Sequence, residues 1–151
     1  MSEENQQQDP NTAFNEQDWV NKQSGAVLSY CSRKELNVTN FIDTESAILP
    51  PFVAVWLVES KPSKEKYWVI SGDLPLDHIP VKLAKNPREV IRHFSLGWQL
   101  KAERLMTGSE TGQPQLGDTA KQTDFAKLLV SRAEILAEMA ENDKIWIKQQ
   151  P

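Results

Sequence analysis

Two apolar runs most constrain how this chain can fold: Phe52-Val53-Ala54-Val55-Trp56-Leu57-Val58 and Tyr67-Trp68-Val69-Ile70. Both are rich in β-branched and aromatic residues, which suit a pleated strand. The segment between them, Glu59 to Lys66, is polar, holds Pro62 and suits a hairpin loop. Neither run alternates polar with apolar residues, so both faces must be covered, by helices on two sides or by a partner subunit. A hairpin of this kind is the centre of a core, and the rest of the chain has to supply its cover.

Three segments read as helices. Asn15 is a good N-cap ahead of Glu16 and Asp18, and Phe14 stands where it could staple onto Trp19, so the first helix begins at residue 15 or 16. Its apolar positions, Trp19, Val20, Val27, Tyr30 and Cys31, recur at helical spacing, while Gly25 weakens the middle by up to ~1 kcal/mol. Cys31 on that face reads as a small buried hydrophobe. The second helix opens at Asn86-Pro87-Arg88-Glu89, with Asn as cap, Pro at the first helical position and Glu closing a capping box, and runs to about residue 107. Its main apolar face is Ile91, Phe94, Trp98, Ala102 and Leu105; Leu96 and Leu100 lie on the opposite side, which predicts a helix sandwiched between two neighbours. The third is capped by Asp118 or Thr123 and shows Phe125, Leu128, Leu129, Arg132, Leu136 and Met139 at periods of three and four, widened by Ile135 and Ala140. After Asn142-Asp143 stops it, Lys144-Ile145-Trp146-Ile147-Lys148 alternates as a short third strand or an extended tail.

Between these elements the chain is polar or punctuated. Residues 1–13 hold almost nothing apolar and read as a disordered tail, and the Gly-, Ser-, Thr- and Gln-rich segment 107–117 reads as a mobile loop. Residues 36–51 are irregular by pattern, with Thr44 capping a short turn that Pro50-Pro51 closes. Gly72 and two prolines shape a loop over 71–80. At 151 residues the length suits one domain, here 14–151. The fold class expected is α+β: a small antiparallel sheet, the hairpin plus a possible C-terminal strand, packed with three main helices.

Composition excludes several classes of function. A net charge of −4 and a pI near 5.2 argue against nonspecific binding to nucleic acid. The one cysteine rules out an intrachain disulfide and a cysteine-based zinc site. No apolar run reaches the ~18 residues that span a bilayer, and the acidic, amide-rich start lacks the basic and apolar regions of a signal peptide, so a cytoplasmic protein without membrane association is expected. Phosphate-binding glycine loops, the G-x-S-x-G nucleophile elbow and the H-E-x-x-H zinc signature are all missing from the sequence, and no cofactor or metal is expected.

Two groups of residues are candidates for chemistry. The loop at 72–80 gathers Asp73, Asp77 and His78 just beyond a strand end, where a carboxylate could orient His78 as a base or all three could face a divalent metal. Ordinary turn chemistry explains the same residues more simply. His93 on the second helix reads as a part-buried histidine at a helix–helix contact, and Gly97 would let a backbone or partner helix come close. The stretch 82–104 carries six basic and two acidic side chains, a net +4, leaving −8 for the remainder. Within it Arg88 and Arg92 share a face near a helix start and are candidates for binding an acidic partner or phosphate, against the plainer reading of a solvated, salt-bridged surface.

The runs Val53-Ala54-Val55-Trp56, Tyr67-Trp68-Val69-Ile70-Ser71-Gly72-Asp73-Leu74-Pro75 and Arg92-His93-Phe94-Ser95-Leu96-Gly97-Trp98-Gln99-Leu100-Lys101-Ala102-Glu103 resemble an uncharacterised family of small bacterial proteins, a domain of unknown function, over roughly residues 14–107. The resemblance implies a bacterial cytoplasmic setting and one compact domain, and carries no catalytic residues with it. Three functions are in competition. The first is a small interaction or accessory protein, a homodimer or the binder of another protein, using the hairpin or Leu96 and Leu100. The second is an enzyme or ligand-binding protein with a pocket between the 72–80 loop and the 87–107 helix. The third, resting on small size and acidity, is an immunity or antitoxin-like protein.

Overall fold

The structure, a computed structural model, describes residues 14–107 and 119–147. The 1–13 tail, all but the first residue of the 107–117 loop, the Asp118 cap and Lys148 lie outside the described residues. The chain divides into two compact units, Met1–Pro80 and Val81–Pro151.

The first unit opens with helix α1 (Glu16–Arg33), capped as its sequence requires: the Asn15 side chain accepts the Asp18 backbone N–H. Five antiparallel strands follow: β1 (Val38–Phe41), β2 (Ala47–Leu49), β3 (Val53–Ser60), β4 (Lys66–Gly72) and β5 (Asp77–Pro80). They form one sheet in the order β1-β3-β4-β5, with β2 also on β3. The β3–β4 hairpin is the expected centre, paired from Val53↔Gly72 to Glu59↔Lys66. Phe52 falls just outside it and is exposed.

Strand alternation assigns two faces. Ala54, Trp56, Val58 and Val69 pack with Val27, Tyr30 and Cys31 of α1, and Trp19, Val20 and Phe41 close over that cluster. The other parity, Val53, Val55, Leu57, Trp68 and Ile70, is equally buried. Both faces of the hairpin are therefore out of water, as its lack of alternation predicted.

Three strands arise where the sequence pattern shows none. β1 and β2 lie end to end along one edge of β3, whose eight residues are long enough for both: Val38↔Ser60 to Phe41↔Val58, then Ala47↔Val55 to Leu49↔Val53. A 3-10 turn over Asp43–Glu45 bridges them. The gap in the ladder is filled by Ile42 N–H donating to the Leu57 carbonyl at 2.7 Å and Leu57 N–H donating to Ser46 Oγ at 2.9 Å. The other unforeseen strand, β5, occupies the second half of the 71–80 segment and pairs with β4 from Ile70↔Asp77 to Tyr67↔Pro80. Pro80 is compatible with strand geometry because β5 is an edge, where a missing N–H breaks no ladder.

The second unit is helical. After a 3-10 turn at Val81–Leu83, α2 (Pro87–Thr107) begins where the Asn-Pro-x-Glu signal places it. Asn86 Oδ1 accepts the Glu89 N–H, and Glu89 Oε1 accepts the Lys85 N–H. Helix α3 (Thr119–Glu141) packs antiparallel on α2, Ser95 Oγ donating to the Ala133 carbonyl at 2.9 Å and Arg88 Nε to that of Ala140 at 2.7 Å. The expected C-terminal strand is instead a short helix, α4 (Asp143–Ile147). Asn142 starts it by accepting the Lys144 N–H, and the Trp146 indole N–H donates to the Met139 carbonyl. Five alternating residues are too few to distinguish a strand from little more than one helical turn.

Two expectations for α2 and α3 fail. Leu96 and Leu100 are exposed, so the second apolar side of α2 is not sandwiched; its buried positions are Val90, Ile91, Phe94, Ser95, Trp98 and Ala102. On α3 the seam is Ala126, Leu129, Ala133, Leu136 and Ala140, whereas Phe125 and Ile135 are partly exposed. Alanine at three of five seam positions permits the close approach that lets Ser95 reach a backbone carbonyl.

Candidate functional site

In the first unit, strand pairing decides what His78 meets. His78 lies opposite Val69, whose side chain belongs to the cluster beneath α1, so the histidine shares that face with Tyr67. Tyr30, on the buried stripe of α1, reaches the same place. Its Oη lies 2.8 Å from His78 Nδ1, and the rings of Tyr30 and Tyr67 both stand edge-on to the imidazole, at 5.6 and 5.8 Å. Tyr67 in turn donates to Glu65 Oε1 at 2.9 Å.

The electrostatics keep both partners of the Tyr30–His78 bond neutral. Burial pushes the His78 pKa down, opposed by the Asp77 carboxylate and reinforced by Lys34, so the ring is neutral at pH 7. Burial together with Asp77 pushes the Tyr30 phenol up to about 12. Both groups are thus neutral, and the donor follows the imidazole tautomer: Tyr30 donates to Nδ1 when the His78 proton sits on Nε2. Such a pair ties α1 to the edge strand β5. With Nδ1 engaged and the phenol held protonated, it is a lock between two elements and not a poised nucleophile.

The remaining candidates have other duties. Asp77 Oδ1 accepts the backbone N–H of His78 at 2.8 Å, and Asp73, exposed just past Gly72, uses its N–H to bond the Phe52 carbonyl. Gly72 has φ +134, and a side chain there would bring its Cβ within 2.2 Å of the Phe52 carbonyl oxygen, so the glycine is required by the hairpin's close approach. Among the described residues no group of histidine, cysteine and carboxylates is arranged to hold a metal ion. The partner that sequence reasoning missed is Tyr30: it stands on the helical stripe that also carries Val27 and Cys31, and its hydroxyl needed a polar neighbour once buried.

In the second unit Arg88 is committed internally, capping the end of α3 and pairing with Asp143 at 2.6 Å. Arg92 Nε lies 3.8 Å from Glu141. His93, expected at a helix contact, is exposed and stands edge-on to Phe94. Beside it the solvent side of α2 carries Leu96, Leu100 and Met106, exposed by 66%, 54% and 58%. With Val130 of α3 they line a shallow groove along the α2–α3 seam, bordered by the carboxylates of Glu103 and Glu134.

Residues 13–146, nearly the whole chain, match the family model described as Domain of unknown function (DUF4826). The chain belongs to that family. This DUF4826 chain matches no curated protein and no solved structure. No described helix of it is long and apolar enough to cross a membrane.

Proposed function

We propose that this DUF4826 protein is a small accessory protein of the bacterial cytoplasm that works by binding a protein surface through the solvent side of α2. The observation that carries the reading is the run of Leu96, Leu100 and Met106, each more than half exposed on one side of a helix whose other side is fully packed. Scattered exposed leucines are ordinary, but Leu96 and Leu100, one turn apart, line a groove together with Met106 and Val130 and form an apolar strip. Replacing Leu96 and Leu100 together by Glu tests the proposal. The native chain is expected to form an oligomer or retain one specific protein partner, and the double variant, with an unchanged circular dichroism spectrum, is expected to lose it. A native chain that is strictly monomeric and retains nothing contradicts the reading.

A further inference from the structure

Among the described residues β5 is an edge of the sheet, and strand alternation fixes which of its backbone groups face outward. Along an antiparallel pair, residues that exchange both backbone hydrogen bonds with the neighbouring strand alternate with residues that exchange none. Pro80 stands opposite Tyr67 and has no N–H to give, so that pair is of the second kind. Counting back along the strand, Ile79 and Asp77 bond β4 opposite Trp68 and Ile70, while the N–H of His78 points away from β4 toward the open side. There it is taken by Asp77 Oδ1 at 2.8 Å.

An added strand needs outward N–H donors and C=O acceptors in alternation. At both outward donor positions β5 withholds the donor: at His78 a carboxylate occupies it, and at Pro80 it does not exist. The same carboxylate stands against the carbonyl oxygens that a newcomer would bring. Aspartate and proline are both poor strand residues, and closing an edge gives each a reason to be in this one. The opposite edge is blunted by other means. The register of β1 shifts between Val38 and Asn40, and the 3-10 turn at Asp43–Glu45 parts it from β2, leaving pieces of four and three residues. Behind β5 lies the run Trp68-Val69-Ile70, buried on both faces and of high β-propensity, the kind of segment whose pairing has to be controlled. We propose that Asp77 and Pro80 guard this edge, keeping the DUF4826 chain from adding a strand, its own or a partner's, and so confining association to surfaces other than the β5 edge.

Amide exchange followed by NMR tests the geometry, and sedimentation velocity tests the guard. Both use the full chain carrying Leu96→Glu and Leu100→Glu, so that contacts through α2 do not enter the result. Asp77→Ala is expected to speed exchange of the His78 amide by about tenfold or more, while the Ile79 amide, turned to β4, stays slow. Asp77→Thr with Pro80→Thr restores both outward donors, and this variant, shown by circular dichroism to be folded, is expected to self-associate at concentrations where the parent chain is monomeric. A His78 amide that exchanges as slowly in Asp77→Ala as in the parent overturns the outward donor and the guard with it. A folded double variant no more associated than the parent overturns the guard, and neither result touches the α2 reading.

Discussion

His78 shows how burial sets a residue's response to pH. The neutral imidazole is favoured by burial, against the pull of the Asp77 carboxylate and with the help of Lys34, so the folded-state pKa lies below the unfolded one. The unfolded chain then binds the proton first. The contribution to stability is fully present above the ordinary histidine value of ~6.5 and is lost as pH falls from there through the folded pKa. Denaturant midpoints measured from pH 7.5 to 4.5 should fall more steeply for the native protein than for His78→Phe. Tyr30→Phe should cost about 1 kcal/mol at pH 7.5 and move the His78 titration, followed by NMR, upward toward the ordinary value. A His78 titration that does not move would show that Tyr30 is not the donor. Gly72 is the other decisive single residue: Gly72→Ala should lose about 2–3 kcal/mol, because its positive φ and the Phe52 carbonyl both exclude a side chain. Its positive φ was legible in the sequence. The tyrosine partner was not, because a helical stripe shows that Tyr30 is buried and says nothing of which strand lies beneath it.

At the scale of elements, what the sequence shows clearly is what local chemistry determines. The caps at Asn15 and Asn86 and the β3–β4 hairpin appear where their residues place them. β1 and β2 do not, since four and three residues carry little pattern of their own and exist because β3 is long enough to template both. The α3 seam was misplaced for a different reason: ranking residues by size picks out Phe125 and Ile135, while the contact with α2 selects alanines that let the helices close. Ala133, fully buried where Ser95 bonds its carbonyl, should tolerate no enlargement, and Ala133→Leu is expected to cost about 1–3 kcal/mol by thermal or chemical unfolding. Ile135→Ala, at a partly exposed position, should cost clearly less than that. Equal losses at the two positions would mean the seam is not the alanine face.

For the whole molecule, the feature with functional meaning is an expectation that failed. Leu96 and Leu100 were expected to be sandwiched by a neighbour, or else to serve a partner, and within the chain they are exposed. A sequence shows that a helix has two apolar sides without showing whether the second is covered from within the chain or from outside it, which is why the fold class was legible while the choice between the two for Leu96 and Leu100 was not. The net +4 of segment 82–104 was similarly ambiguous: Arg88 proves to be an internal clamp, and Arg92 and His93 remain on the surface beside the leucines. Hydroxyl-radical footprinting across a protein dilution series tests the central claim most directly, because it reads each side chain in the native chain. The account predicts that oxidation of Leu96, Leu100 and Met106 rises on dilution while that of Phe52 and Ile147, exposed residues outside the strip's sequence, stays constant. Oxidation at the three α2 positions that is high at every concentration, and no different in behaviour from that of Phe52 and Ile147, would contradict it.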